Sequence, residues 1–120
     1  MRTSRFDQVV QAVVRALLQE HQAADAEAMT PKVAEFVRGQ HARMPDFLRE
    51  PLRILTLALD TSPWFLGYGR PLRRLSPVEA SAVLASWRNG WPAARRDLVS
   101  FYEVLSVFGL AAERQERGDV

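Results

Sequence analysis

From Phe6 onward the apolar residues Val9, Val10, Val13, Val14, Leu17 and Leu18 recur three and four positions apart. That is one stripe of an amphipathic helix, and it predicts a first helix over residues 4–21. Ser4 followed by Asp7 resembles a capping box at its start, with a carboxylate near the positive end of the helix dipole. A polar, alanine-rich connector follows. Thr30 as N-cap and Pro31 at the first helical position, where a missing N–H costs nothing, then predict a second helix running to about residues 41–42. Val33, Phe36 and Val37 form its buried edge.

Pro51 lies six residues after Pro45. An interior proline costs a helix about 3 kcal/mol, so the pattern predicts a short piece followed by a main helix over residues 51–60. Leu52, Ile54, Leu55, Leu57, Ala58 and Leu59 make that helix apolar nearly all round, which predicts that it is either central or covered by a partner. Residues 61–75 read as a loop, yet they carry Trp64, Phe65 and Tyr68. Loops are usually polar, so these aromatics are expected to pack onto something. Ser76, Pro77 and Glu79 form an S-x-x-E start for a fourth helix, whose inner face is Val83, Leu84 and Trp87.

Asn89, Gly90 and Trp91 signal a stop, because asparagine and glycine tolerate the left-handed conformation that closes a helix, and Pro92 restarts the chain. The last helix, over about residues 92–110, is apolar beyond a single stripe, from Leu98 and Val99 through Phe101, Tyr102, Val104, Leu105, Val107 and Phe108 to Leu110. The charged tail over residues 113–120 is expected to fray. No stretch alternates as a strand does, and no internal repeat is visible. The expected fold is all-α, a single helical bundle of about five helices forming one domain over residues 1–120.

Composition agrees with that picture. The chain has 120 residues, 48% apolar and 25% charged, the proportions of a soluble globular domain. No apolar run approaches the roughly 20 residues that span a bilayer. The first twenty residues have helical periodicity rather than a separate apolar core with a cleavage site, so the expected location is the cytoplasm. Cysteine is absent, which removes disulfides, thiolate metal sites and thiol nucleophiles. The net charge is +2, and the isoelectric point near 9.7 reflects a basic set that is all arginine except Lys32. Fourteen carboxylates are interleaved with those bases, so there is no sustained cationic run.

Candidate chemistry is sparse. His21 and His41 have no second histidine at the i, i+4 spacing that grips zinc, and both read as solvated residues near helix ends. The serines sit at caps or on helix faces, outside any nucleophile-elbow context, and "GYGRP" reads as a plain turn. Asp97 and Glu103 read as surface salt-bridge material. Arg70, Arg73, Arg74, Arg88, Arg95 and Arg96 flank a helix, a turn and a helix, which raises a nucleic-acid alternative. The helix after Pro92 is too apolar from Leu98 onward to present the Asn, Gln and Arg stripe that reads base edges. Apolar material in excess of what a core of this size needs favours protein binding, to another polypeptide or to a second copy.

The stretch "RRLSPVEASAVLASWRNGWPAARRDLVSFYEVLSVFGL" resembles the small helical accessory subunits (gluconate 2-dehydrogenase subunit 3-like) of FAD-dependent glucose-methanol-choline (GMC) type dehydrogenases. It is also similar to the helical amino-terminal segment of long-chain alcohol oxidases. The matching residues are Leu75, Ser76, Pro77, Glu79, Val83, Leu84, Trp87, Arg95, Arg96 and Leu98, and the likeness covers about residues 30–112. The family's twin-arginine export signal is not seen. The resemblance implies a subunit that binds no flavin itself and supports a larger flavoprotein, which holds the FAD and oxidises an alcohol or sugar hydroxyl. On that reading Trp64, Phe65, Tyr68, Trp87, Trp91 and Phe101 are the expected anchors, with Arg95 and Arg96 pairing with carboxylates of the partner. Trp87 is the anchor most expected to turn inward.

Overall fold

The computed structural model describes residues 4–21, 26–89 and 93–116. They form α1 (Arg5–Glu20), α2 (Ala26–Ala42), α3 (Asp46–Phe65), a 3-10 turn at Leu72–Arg74, α4 (Pro77–Arg88) and α5 (Ala93–Glu116). Among the described residues there is no strand, and the fold is an all-α bundle.

The centre of the bundle is α1, which touches all four other helices and the 3-10 turn. Its stripe is wide: Val9, Val10, Val13, Val14, Leu17 and Leu18 are each fully buried, with Ala12 and Ala16 between them. At about 1.5–3 kcal/mol for each large side chain, this helix supplies much of the burial that holds the fold. Ser4 caps it, its hydroxyl accepting from the Asp7 N–H at 3.1 Å. Helices α2 and α5 lie closely side by side. A Cβ at Gly109 would stand 3.0 Å from Phe36 Cδ1 and 3.1 Å from Val33 Cγ1, so a larger residue there would have to push those side chains aside by a few tenths of an ångström.

The S-x-x-E start of α4 is present in both directions. Ser76 Oγ accepts from the Glu79 N–H at 3.2 Å, and Glu79 Oε1 accepts from the Ser76 N–H at 3.1 Å. Helix α4 ends where predicted, but Asn89 closes it with φ −101°, outside the left-handed region. Its side-chain amide instead donates to the Ala85 carbonyl at 3.1 Å. Gly90, Trp91 and Pro92 lie outside the described residues, so the restart assigned to Pro92 does too.

Two boundaries differ from the sequence reading because prolines are tolerated inside helices. Pro31 lies within α2, which starts at Ala26 rather than at a Thr30 cap, and Thr30 is buried. Pro51 lies within a continuous α3 that replaces the expected short piece and 51–60 helix. Both rings are exposed and stand early in their helices, where the carbonyl each leaves unbonded can be hydrated.

The third interior proline, Pro63, is buried near the end of α3. The Leu59 carbonyl that its ring leaves free accepts from the Ser62 hydroxyl at 2.9 Å. That repair carries α3 through Trp64 and Phe65, which the sequence reading placed in a loop. The chain then turns at Gly67 and Gly69, both with positive φ. At the other end of the fold, α5 runs to Glu116, so residues 113–116 of the expected frayed tail are helical. Glu113 there faces Lys32 of α2 at 3.8 Å.

Candidate partner-binding surface

Helix α3 carries apolar side chains outward as well as inward, where Leu52 and Leu55 pack against the core. Its buried positions are Thr56, Leu59, Asp60 and Pro63, two of them polar. Its exposed positions include Phe47, Pro51, Ile54, Ala58 and Phe65, spaced i, i+4, i+7, i+11 and i+18, which places them on one face. Phe65 is 90% exposed, Phe47 74%, Ile54 65% and Trp64 56%. Leu48 and Leu66 flank this stripe and are also exposed.

The polar inner face of α3 is held by hydrogen bonds. Asp60 is fully buried and bridges three elements. Its carboxylate accepts from the Arg73 backbone N–H at 3.2 Å, from the Arg73 guanidinium, and from Arg5 Nε of α1 at 3.1 Å. A buried charge needs such partners, since unpaired burial would cost several kcal/mol. Thr56 donates to the Leu52 carbonyl at 2.7 Å and accepts from the Tyr102 hydroxyl of α5 at 2.6 Å. Burial pushes the Tyr102 phenol well above its ordinary pKa. Polar groups thus fix the rotation of α3 about its axis, and that rotation turns the apolar stripe outward.

A second outward apolar stripe runs along α5, with Val104, Val107, Phe108 and Ala111 at i, i+3, i+4 and i+7. Of the two helices expected to be apolar beyond one stripe, α5 touches all four other helices as α1 does, whereas α3 lies at the side, and the surplus on both faces outward.

The expected anchors separate into three groups. Trp64, Phe65, Arg95 and Arg96 are exposed. Tyr68 and Phe101 are half-buried against the core, Phe101 edge-on to Tyr102 with ring centroids 5.2 Å apart. Trp87 is a core residue, 5% exposed, whose indole N–H donates to Ser62 Oγ at 3.2 Å, so its inward turn makes it a packing group rather than a contact for a partner. Arg95 lies over the Trp87 ring, 5.4 Å from its centroid. Trp91 lies outside the described residues.

His41 corrects another expectation. It is buried, with its ring 4.7 Å from that of Phe6, and its Nε2–H donates to the Arg49 carbonyl at 3.1 Å. Phe6 of α1 and the first turn of α3 both meet the ring, so it is a structural link and not a solvated residue. Among the described residues, no three His, Asp or Glu side chains are grouped to hold a metal ion, and no helix is long and apolar enough to cross a membrane. The six arginines of the nucleic-acid alternative are not one cationic face. Arg70 pairs with Glu79, Arg73 with Asp60, and Arg88 with Glu20 and Glu103.

The sequence reading missed Phe47 as an outward residue and Asp60 as a buried one. The available signal was the phase of α3: Thr56 and Asp60 share one face, and Ile54 and Ala58 share the other. Comparison of the chain with protein-family models, with curated proteins and with solved structures returned no match.

Proposed function

We propose that this chain is a non-catalytic accessory subunit that binds a larger protein through the outer face of α3. The observation that carries this reading is the outward apolar stripe of α3, which remains exposed although Leu52, Leu55, Leu59 and Pro63 of the same helix pack inward. An aromatic side chain presents on the order of 150–250 Å². Phe47, Trp64 and Phe65 together with Ile54, Leu48 and Leu66 therefore offer on the order of 700 Å², close to the roughly 800 Å² per partner of a stable interface.

Burying each large side chain on a partner returns about 1.5–3 kcal/mol before the cost of association. Trp64 and Phe65 are the anchors, and the exposed Arg95 and Arg96 pair with carboxylates at the rim. Because the face is rigid helix, the subunit would act by stabilising and positioning the partner, with no reaction of its own. The resemblance of residues 30–112 supports an FAD-dependent GMC-type dehydrogenase as that partner, and the flavin would be held there.

Tagged chain purified from its native host tests this. The expected result is a larger polypeptide that co-purifies and carries flavin absorbance, and that is lost when Ile54→Asp and Phe65→Asp are introduced together. Both positions are exposed, so circular dichroism and the melting temperature should change little. A chain that purifies alone, or a complex indifferent to both changes, contradicts the reading. Recovery as a homo-oligomer with no second polypeptide would replace it with self-association.

A further inference from the structure

A second feature stands apart from the α3 surface. A cleft of about 380 Å³ opens between α1, α2 and the 3-10 turn, and three arginines line it: Arg15, Arg73 and Arg74. That volume falls within the range of small-ligand sites. Two of the three guanidiniums are tethered from behind. Arg15 Nη2 donates to the Leu75 carbonyl at 3.2 Å, and Arg73 is fixed through Asp60.

Their donors are far from used up. A guanidinium has five N–H groups. Arg15 spends one on Leu75, and its Nε, buried with no hydrogen-bond partner, is shielded from the cleft, so its available donors are on the terminal nitrogens. Arg74 pairs with no carboxylate among the described residues and is exposed. The one carboxylate in the lining, Glu27, already accepts from the Gln19 amide at 2.9 Å. Tethered forks with spare donors suit an oxyanion, since little side-chain freedom remains to be lost on binding.

We propose that this cleft binds a phosphate-bearing ligand, with Arg74 and the spare donors of Arg15 and Arg73 on the phosphoryl oxygens. A carboxylate offers two acceptor oxygens and a phosphoryl group three. Three guanidiniums with the Gln11 amide beside them match the larger acceptor set of a phosphoryl group. The site goes beyond the accessory-subunit reading and does not depend on it.

Titration of the full chain with pyrophosphate and with glycerol phosphate, each against sodium chloride at equal ionic strength, tests the proposal through the arginine Nε–H NMR signals. Saturable shifts at Arg15 and Arg74 are expected. Arg74→Gln, at an exposed position, should weaken binding at least tenfold, whereas Arg53→Gln on α3 should leave it unchanged. Vesicles containing phosphatidic acid distinguish the source: retention competed by glycerol phosphate identifies a lipid headgroup, and no retention alongside glycerol phosphate binding identifies a soluble phosphate. Either result upholds the site. Shifts that chloride reproduces, equal or stronger binding of succinate, or indifference to Arg74→Gln overturns it.

Discussion

Helices α1 and α3 are both rich in aliphatic residues, and they use them in opposite directions. Every large aliphatic side chain on α1 from Val9 to Leu18 is buried, and its exposed positions are polar or charged. On α3 the buried positions include a carboxylate and a hydroxyl, while two phenylalanines, a tryptophan and an isoleucine face outward. The core of this domain is built on α1, and α3 is fastened to it by hydrogen bonds together with the packing of Leu52, Leu55 and Leu59. Apolar content alone therefore does not say what a helix is for. The phase of that content relative to the polar residues on the same helix does.

The sharpest test of the contrast is a matched pair of truncations. Leu17→Ala on α1 should cost the isolated chain about 3–4 kcal/mol in urea unfolding, since it opens a cavity at a fully buried site. Ile54→Ala on α3 should cost less than about 0.5 kcal/mol, because a 65% exposed side chain leaves no cavity. Equal losses would break the comparison.

Next in size is Asp60→Ala, which should cost about 2–3 kcal/mol. It leaves Arg73 without its buried partner, although Arg5 is half-exposed and can turn to water. Tyr102→Phe should cost about 1 kcal/mol through loss of the hydrogen bond to Thr56. The same phenol makes stability depend on pH in one direction. Its folded pKa is raised, so its contribution is full below the ordinary value of about 10 and is lost as pH rises above it. Urea midpoints for the wild type should fall above that pH more steeply than those of Tyr102→Phe.

The smallest expected effect is at the start of α4. Ser76→Ala should cost about 1 kcal/mol or less by removing the acceptor for the Glu79 N–H, read from the unfolding midpoint.

Much of the fold was legible in the residues. The Val9 to Leu18 stripe, the Ser76 and Glu79 box and the inward face of Val83, Leu84 and Trp87 are local signals, and each is present as read. Pro31 and Pro51 are not boundaries, because an exposed ring early in a helix leaves a carbonyl that water can satisfy. The helical state of Trp64 and Phe65 is not legible locally, because the Ser62 hydroxyl that repairs the helix at Pro63 acts through a contact that propensity does not encode. The surplus of apolar surface was legible on α3 and α5 as composition. Which side of α3 faces out is signalled only by the phase of Thr56 and Asp60, because the groups that hold Asp60 inside, Arg73 and Arg5, lie thirteen and fifty-five residues away.

Covalent footprinting of the chain in isolation and in the complex recovered from its host tests the central claim most directly. Phe47, Ile54 and Phe65 should label readily in the isolated chain and become protected in the complex, with Leu17 and Leu59 unlabelled in both. An α3 face that labels equally in the two states, or that is already shielded in the isolated chain, would contradict the account.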